Sequence, residues 1–213
     1  MLYIVATPIG NLSDVSQRSL DILKEVDIVL CEDTRVTARL LNRYEIKKQM
    51  SSLHQHSTDE KIQKVLEEYE NIAYVSDAGT PGISDPGNKL VQRAVEMGID
   101  VSPIPGPSAV ISSLSVSGFP TDKFLFLGFM PKRGKNKIFE IIKSSEYTVA
   151  FYESPHRILK TLEALVPFVA GKKICVCREL TKKFESIYRG DIHEVIKQVE
   201  DKQKGEFVVV VSK

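Results

Sequence analysis

A chain of 213 residues and 23.9 kDa is long enough for one large domain or two modest ones, each with a real core. Its 42% hydrophobic and 27% charged residues exclude a disordered, collagen-like or fibrous protein over most of its length. No apolar run approaches the ~18 residues of a membrane span, and the N-terminus enters Thr7-Pro8 without a basic leader, so a cytoplasmic protein with no membrane association is expected.

The net charge of +1 conceals a division. Residues 1–118 hold 11 basic and 16 acidic side chains, a net of −5, and residues 119–213 hold 18 and 12, a net of +6. In chain order, Leu2–Ala6, Ile28–Cys31, Ile72–Val75 and Val101–Ile104 are short, apolar and β-branched, as strands of a parallel sheet buried on both faces are. Between them lie amphipathic stretches. One carries Leu20, Ile22 and Leu23, a second follows a capping box at Ser57–Glu60, and a third covers about Gly87 to Met97. Repeated β-α units of this kind imply an open, mostly parallel sheet with helices on both faces.

After Gly118-Phe119-Pro120 the texture changes to strands at 124–129, 148–152, 174–177, 186–188 and 207–211, with helices near 138–142, 158–165 and 194–199. The fold class is therefore α/β in two lobes: an N-terminal parallel lobe, 1–118, and a C-terminal mixed-sheet lobe, 119–213. Three cysteines, Cys31, Cys175 and Cys177, give no disulfide framework, and Cys175-Val176-Cys177 fits one face of a buried strand. The histidines His54, His56, His156 and His193 are scattered, and no metal site is expected.

Glycine and proline concentrate at the C-terminal ends of the predicted strands, where open α/β sheets bind ligands. The loop Thr7-Pro8-Ile9-Gly10 lacks both the dinucleotide fingerprint and the P-loop ending. Residues 76–87 place three glycines, two prolines and two aspartates between a strand and a helix, more backbone specification than a plain connection needs. Pro105-Gly106-Pro107-Ser108-Ala109 has the same character, with Ser108 equally readable as a helix cap. A second set pairs carboxylates with arginines: Glu32-Asp33-Thr34-Arg35, Glu153-Ser154-Pro155-His156-Arg157 and Arg178-Glu179. The plain reading of each is a helix cap with a surface ion pair. Lys132, Arg133, Lys135 and Lys137 form a basic cluster suited to phosphate or to a solvated loop.

Taken together, TPIGNLSD at 7–14, EDTR at 32–35, SDAGTPGISDPG at 76–87, PGPSA at 105–109, FLGFMPKRGK at 126–135, FYESPHR at 151–157, RELTKKFE at 178–185 and GEFVVVV at 205–211 resemble the tetrapyrrole methylase superfamily, and within it the ribosomal RNA small subunit methyltransferase I family. The resemblance implies an S-adenosylmethionine-dependent enzyme that methylates a cytidine ribose 2′-hydroxyl in the decoding region of 16S rRNA. It also implies a homodimer of two-lobed chains with the donor in the cleft between lobes, and the small ribosomal subunit as partner. Carried onto this chain, the donor site takes Pro8, Ile9, Gly10, Asp77, Ala78, Gly79, Thr80, Ile83, Ser108 and Ala109, closed by Tyr152, Leu180, Glu206 and Phe207.

The first two loops depart from the glycine-richer forms of the corrin and sirohaem branch, which favours RNA over a small tetrapyrrole, the alternative acceptor. RNA-directed members are commonly longer, with a further small C-terminal domain; either this chain is trimmed or RNA contact comes from the two lobes alone. A ribose hydroxyl is a weak nucleophile and calls for a base or a cation near the developing oxyanion. Glu32, Asp33, Arg35, Glu153, His156 and Arg157 are the catalytic candidates, with Glu179 and Lys182 behind them. Lys132, Arg133, Lys135, Lys137 and Lys182 are the expected RNA contacts.

Overall fold

The first sheet is built from runs too short and too uniformly apolar for helices. In the computed structural model, which describes residues 1–54 and 57–213, they become β1 (Leu2–Val5), β2 (Ile28–Cys31), β4 (Ile72–Val75) and β5 (Val101–Ile104), joined by β3 (Met50–Ser52). His56 lies outside the described residues. The strand order is β3-β2-β4-β1-β5 and every pairing is parallel, with Leu2 opposite Ile72 and Val101, and Leu30 opposite Tyr74 and Ser51. All residues of β2 and β4 are buried, as expected of strands covered on both faces. β5 differs because it is an edge strand, partly exposed over Val101–Pro103, and an edge tolerates Pro103.

The helices are α1 (Gln17–Glu25), α2 (Thr34–Arg43), α3 (Asp59–Glu68) and α4 (Asn88–Glu96). Leu20 and Leu23 of α1 and Leu40 and Leu41 of α2 pack with Val5, Val29, Cys31 and Val75 on one face. Ile62, Val65 and Leu66 of α3 and Leu90 and Ala94 of α4 pack with Leu2, Ile28, Leu30 and Tyr74 on the other. The cap of α3 falls one residue later than expected: the Thr58 side chain accepts from the Lys61 amide, while the Ser57 hydroxyl accepts from the His54 amide. β3 has no β-branched signature, so its pairing with β2 is what makes it a strand.

The second sheet contains β6 (Phe124–Phe129), β7 (Thr148–Glu153), β8 (Ile174–Arg178), β9 (Ser186–Gly190) and β10 (Phe207–Val211), in the order β6-β7-β10-β8-β9. Only β6 and β7 pair in parallel; the other pairings are antiparallel, which gives the expected mixed sheet. On one face, Phe139 and Ile142 of α6 (Lys135–Ser144), Leu162 and Leu165 of α7 (Ile158–Leu165) and Val195 and Val199 of α8 (Ile192–Val199) cover Phe151, Val176 and Val209. On the other, Val110 and Leu114 of α5 (Ala109–Ser117) cover Ala150, Cys175, Cys177, Val208 and Val210, so both strand cysteines do share one buried face.

The chain divides into compact units Met1–Ser108 and Ala109–Lys213, where the sequence suggested 1–118 and 119–213. The difference is α5. Its apolar side chains are absorbed by the second sheet, and Arg189 of β9 donates through Nε to the Val116 carbonyl at 3.0 Å, binding the end of α5 to that unit. Residues 109–118 carry no charge, so the electrostatic division is unchanged. Among the described residues no helix is long and apolar enough to cross a membrane.

Leu114→Ala removes a buried side chain from the α5 contact and should cost about 2–5 kcal/mol in denaturant unfolding. Amide exchange in β8 and β10 should accelerate while that in β1 and β4 does not change; a uniform acceleration would place α5 with the first unit instead.

Candidate active site

Parallel pairing sends the loops after β1, β2, β4 and β5 to one edge of the first sheet. β1 and β2 lead to helices on one face and β4 to a helix on the other, so neighbouring loops part at β4 as at a topological switch point. The loops are nevertheless tied together. The Thr7 amide donates to the Gly79 carbonyl at 2.9 Å and the Gly79 amide returns a bond to the Thr7 carbonyl at 3.0 Å. The Thr7 hydroxyl donates to the Ser76 carbonyl, and the Thr80 hydroxyl to the Pro107 carbonyl. Gly79 holds φ at +80°, which favours glycine there, and a Cβ on Gly106 would come tightly against Ala6 Cβ at 3.0 Å.

Of the residues assigned to a donor on this unit, Pro8, Ile9 and Gly79 are buried, whereas Gly10, Asp77, Ala78 and Ile83 are exposed. Thr80 and Ser108 are half-buried, and Ala109 opens α5. The edge therefore has a rigid floor and a small-residue rim on which backbone groups can meet a ligand.

Four carboxylates gather at the ends of β2 and β4. The Asp33 amide donates to Asp77 Oδ1 at 3.1 Å. Asp33 caps α2, accepting from the Arg35 amide at 2.8 Å and from its guanidinium at 2.6 Å, and these bonds hold its carboxyl down at about 2. Asp33 and Arg35 thus form the plain arrangement of helix cap and exposed ion pair. Burial, reinforced by the Asp77 charge, raises Glu32, and burial likewise raises Asp77. Burial and the Glu32 charge push Asp85 up to about 6. Asp85 stands in a turn where Ser84 has φ +62° and Gly87 has φ +137°, and a Cβ on Gly87 would lie 2.8 Å from the Tyr74 ring.

In the second unit, Glu153 is a structural anchor. Its side chain is fully buried; Oε1 accepts from the Ser154 amide at 2.7 Å and pairs with Arg157 Nη2 at 2.7 Å, and Oε2 accepts from the Thr161 hydroxyl at 2.6 Å. Lys135 Nζ turns inward, donating to Thr161 at 2.6 Å and facing Glu153 at 3.5 Å. Glu153, a catalytic candidate from the sequence, is thus fully buried and engaged by Ser154, Arg157 and Thr161, and Lys135, an expected RNA contact, turns toward it and is largely buried. Lys132, Arg133 and Lys137 remain exposed, and His156 is exposed in the turn before α7. Lys182 bridges Glu179 at 2.9 Å and Glu206 at 2.8 Å, so its charge is committed to carboxylates. Tyr152 sits edge-on to Phe126 and Phe129, Leu180 packs on the α5 face of the sheet, and Phe207 is buried at the start of β10. The assignment of Tyr152, Leu180, Glu206 and Phe207 to the donor rests on the resemblance.

Sequence reasoning passed over Asp85, and with it Leu53, His54, Asn88 and Lys89, which line a pocket of about 310 Å³ beside the Asp85 turn. The second aspartate of the 76–87 loop was the available signal. The convergence of β3, α3 and α4 around it was not legible.

Comparison with known proteins follows this geometry. The sequence profile described as "Tetrapyrrole (Corrin/Porphyrin) Methylases" matches residues 1–196. A Thermotoga maritima protein named "Ribosomal RNA small subunit methyltransferase I" is 44% identical over 217 residues, covering 99% of this chain and 97% of that one. Proteins of the same name from Vibrio cholerae and Escherichia coli O157:H7 are 45% and 43% identical, covering 99% of this chain and 76% and 77% of theirs. Among solved structures, diphthine synthase superposes with a TM-score of 0.75 at 13% identity, over 100% of this chain and 90% of that one. The cobalt precorrin-4 methyltransferase CbiF superposes with a TM-score of 0.71 at 16% identity, over 99% and 94%. At such identities these two structures establish the fold alone.

Asp85 binds a proton in the folded chain between about pH 4 and 6 that the unfolded chain releases, so it lowers stability as pH rises through that window. Asp85→Asn should flatten this slope and stabilise the chain by ~1 kcal/mol at pH 8, the full shift being discounted for partial exposure; thermal unfolding at pH 4 and pH 8 checks it. Glu153→Gln leaves two cations facing a neutral group and should cost about 2–4 kcal/mol, measured by urea unfolding.

Proposed function

Because the chain belongs to the tetrapyrrole methylase family, whose members depend on S-adenosylmethionine, we propose that it methylates the 2′-hydroxyl of a cytidine in the decoding region of 16S rRNA. The observation that carries this reading is its 42–45% identity, over 99–100% of its length, to proteins named ribosomal RNA small subunit methyltransferase I.

The residues at the edge of the first sheet fit the donor. When bound, S-adenosylmethionine supplies an electrophilic methyl group on a positively charged sulfur. Gly10, Ala78 and Gly79 leave room for close backbone approach, and the exposed Asp77 carboxylate favours a cation. The rigid floor made by the Thr7–Gly79 and Thr80–Pro107 bonds holds the donor loops in place, which counts because in-line transfer needs the reacting atoms about 3–3.5 Å apart.

Among the carboxylates at this edge, Glu32 is the proton acceptor in this reading. Asp33 is held down by Arg35 and Asp77 accepts from the Asp33 amide, whereas Glu32 is raised toward neutrality at the end of β2. The exposed Lys132, Arg133 and Lys137 of the second unit, which carries the +6 charge, contact the phosphates flanking the target. The acceptor is the small ribosomal subunit in the cytoplasm, and the enzyme acts as a homodimer.

Transfer of labelled methyl from S-adenosylmethionine to small subunits lacking the modification, followed by nucleoside analysis, tests the reading. Label on a cytidine 2′-oxygen is expected; label on a tetrapyrrole precursor offered in parallel, with none on RNA, would replace it. Glu32→Gln should lower kcat about 100-fold or more with donor affinity unchanged.

A further inference from the structure

A pocket of about 310 Å³ opens in the first unit where β3 ends and the Asp85 turn enters α4. Its floor is apolar: Leu53, Ile62 and Leu90 are 3%, 2% and 0% exposed. Its polar lining is His54 after β3 and Ser84, Asp85, Asn88 and Lys89 in and just after the turn. None of these residues is among those assigned to the donor, although Asp85 shares the 76–87 loop with Asp77 and Ile83.

The volume stands at the small end of the roughly 300–1,000 Å³ range of small-molecule sites, in keeping with a single planar heterocycle and part of its sugar. An apolar floor offers a face for such a ring, and a carboxylate at the rim offers an acceptor at its edge. The surroundings are more acidic than basic: Lys89 lines the pocket, but it lies in the half of the chain with net charge −5, beside Asp85, which is close enough to Glu32 and Asp77 to feel their charges, and this favours an uncharged ring over a phosphate. Along the sheet edge the order is the pocket at β3, the carboxylates at β2 and β4, and the donor loops at β4, β1 and β5. Asp85 is close enough to Glu32 to feel its charge, so in this proposal a base held at Asp85 brings its ribose toward Glu32.

We propose that this pocket receives the unstacked base of the target nucleotide and that Asp85 selects cytosine by accepting a hydrogen bond from its N4 amino group. The inference rests on the functional reading above. Chemistry on a nucleotide inside folded RNA requires the residue to be splayed out of its stack, and a splayed base is read by stacking and by its Watson–Crick edge. Carboxylates accept from the cytosine N4 amino group, whereas uracil presents O4, a second acceptor, at the same position and is repelled. The turn keeps Asp85 in place: Ser84 and Gly87 both hold positive φ, and the Gly82 amide donates to the Pro86 carbonyl at 3.2 Å, closing the loop around it.

The test uses full-length enzyme, labelled S-adenosylmethionine and unmodified small subunits bearing either the natural cytidine or uridine at the modified position. Donor-site affinity is followed in parallel by calorimetry with S-adenosylhomocysteine. The wild type should prefer cytidine strongly; Asp85→Asn, whose amide can face either base, should shrink that preference about tenfold or more with donor-site affinity within about twofold. Asn88→Trp, which puts a larger side chain at a lining position and keeps the Asp85 carboxylate, should slow transfer about tenfold with donor-site affinity likewise kept.

An unchanged cytidine preference in Asp85→Asn overturns the proposal, as does a tenfold loss of S-adenosylhomocysteine affinity in either variant, which would assign the pocket to the donor. Failure of the broader reading has a different signature: wild-type enzyme that puts no label on ribose in either subunit, which overturns both.

Discussion

Everything proposed for the first unit depends on its loops being held by one another. Parallel pairing brings four loops to one edge, and the divergence of their helices would leave that edge splayed. The reciprocal Thr7–Gly79 bonds, the Thr80–Pro107 bond, the Asp33–Asp77 bond and the contact of Gly106 with Ala6 prevent it. Each uses backbone or a short side chain, so the cross-links are short and stiff. Glycine is favoured at 79 because φ is positive there, and at 106 a Cβ would sit tightly against Ala6. Pre-set geometry of this kind is what a displacement reaction asks of a protein, since most of the help lies in placing two atoms in line.

Charge is the second organising fact. The first unit is acidic and the second basic with Lys132, Arg133 and Lys137 exposed; in the proposed reading the first takes a cationic donor with an uncharged base and sugar, and the second takes the phosphates. Inside each unit the structure separates charges that act from charges that hold. Glu153, Lys135, Arg157 and Thr161 satisfy one another and stabilise the β7–α7 turn, and Lys182 is held between Glu179 and Glu206. Asp33 and Arg35 cap α2. Among the described residues, Glu32, Asp77 and Asp85 at the sheet edge and Lys132, Arg133 and Lys137 beyond β6 stand outside these ion pairs.

Strand positions were legible because burial on both faces demands apolar, β-branched runs, and Ile28–Cys31, Ile72–Val75 and Phe207–Val211 have no other economical interpretation. β3 was not legible: Met50-Ser51-Ser52 is a strand only because β2 offers an unpaired edge. The end of the first unit was misplaced by ten residues for a similar reason, since nothing in Ala109–Ser117 states which of two sheets its apolar face will meet. The loops at the strand ends were legible through glycine and proline, whose backbone constraints are local.

The sequence by itself determined the α/β class, the family, the charge division and the loops that form the site, because each follows from residue type and short-range spacing. Only the tertiary structure set the carboxylates apart from one another. Glu32, Asp33, Glu153 and Asp85 are chemically near-identical in sequence, and they differ in the fold through burial, a neighbouring guanidinium or a neighbouring carboxylate. These are contacts between residues distant along the chain or set by the local turn, and the low dielectric of a partly buried site magnifies them. The Asp85 pocket belongs to the same class: its walls come from β3, α3 and α4, and no stretch of sequence contains it.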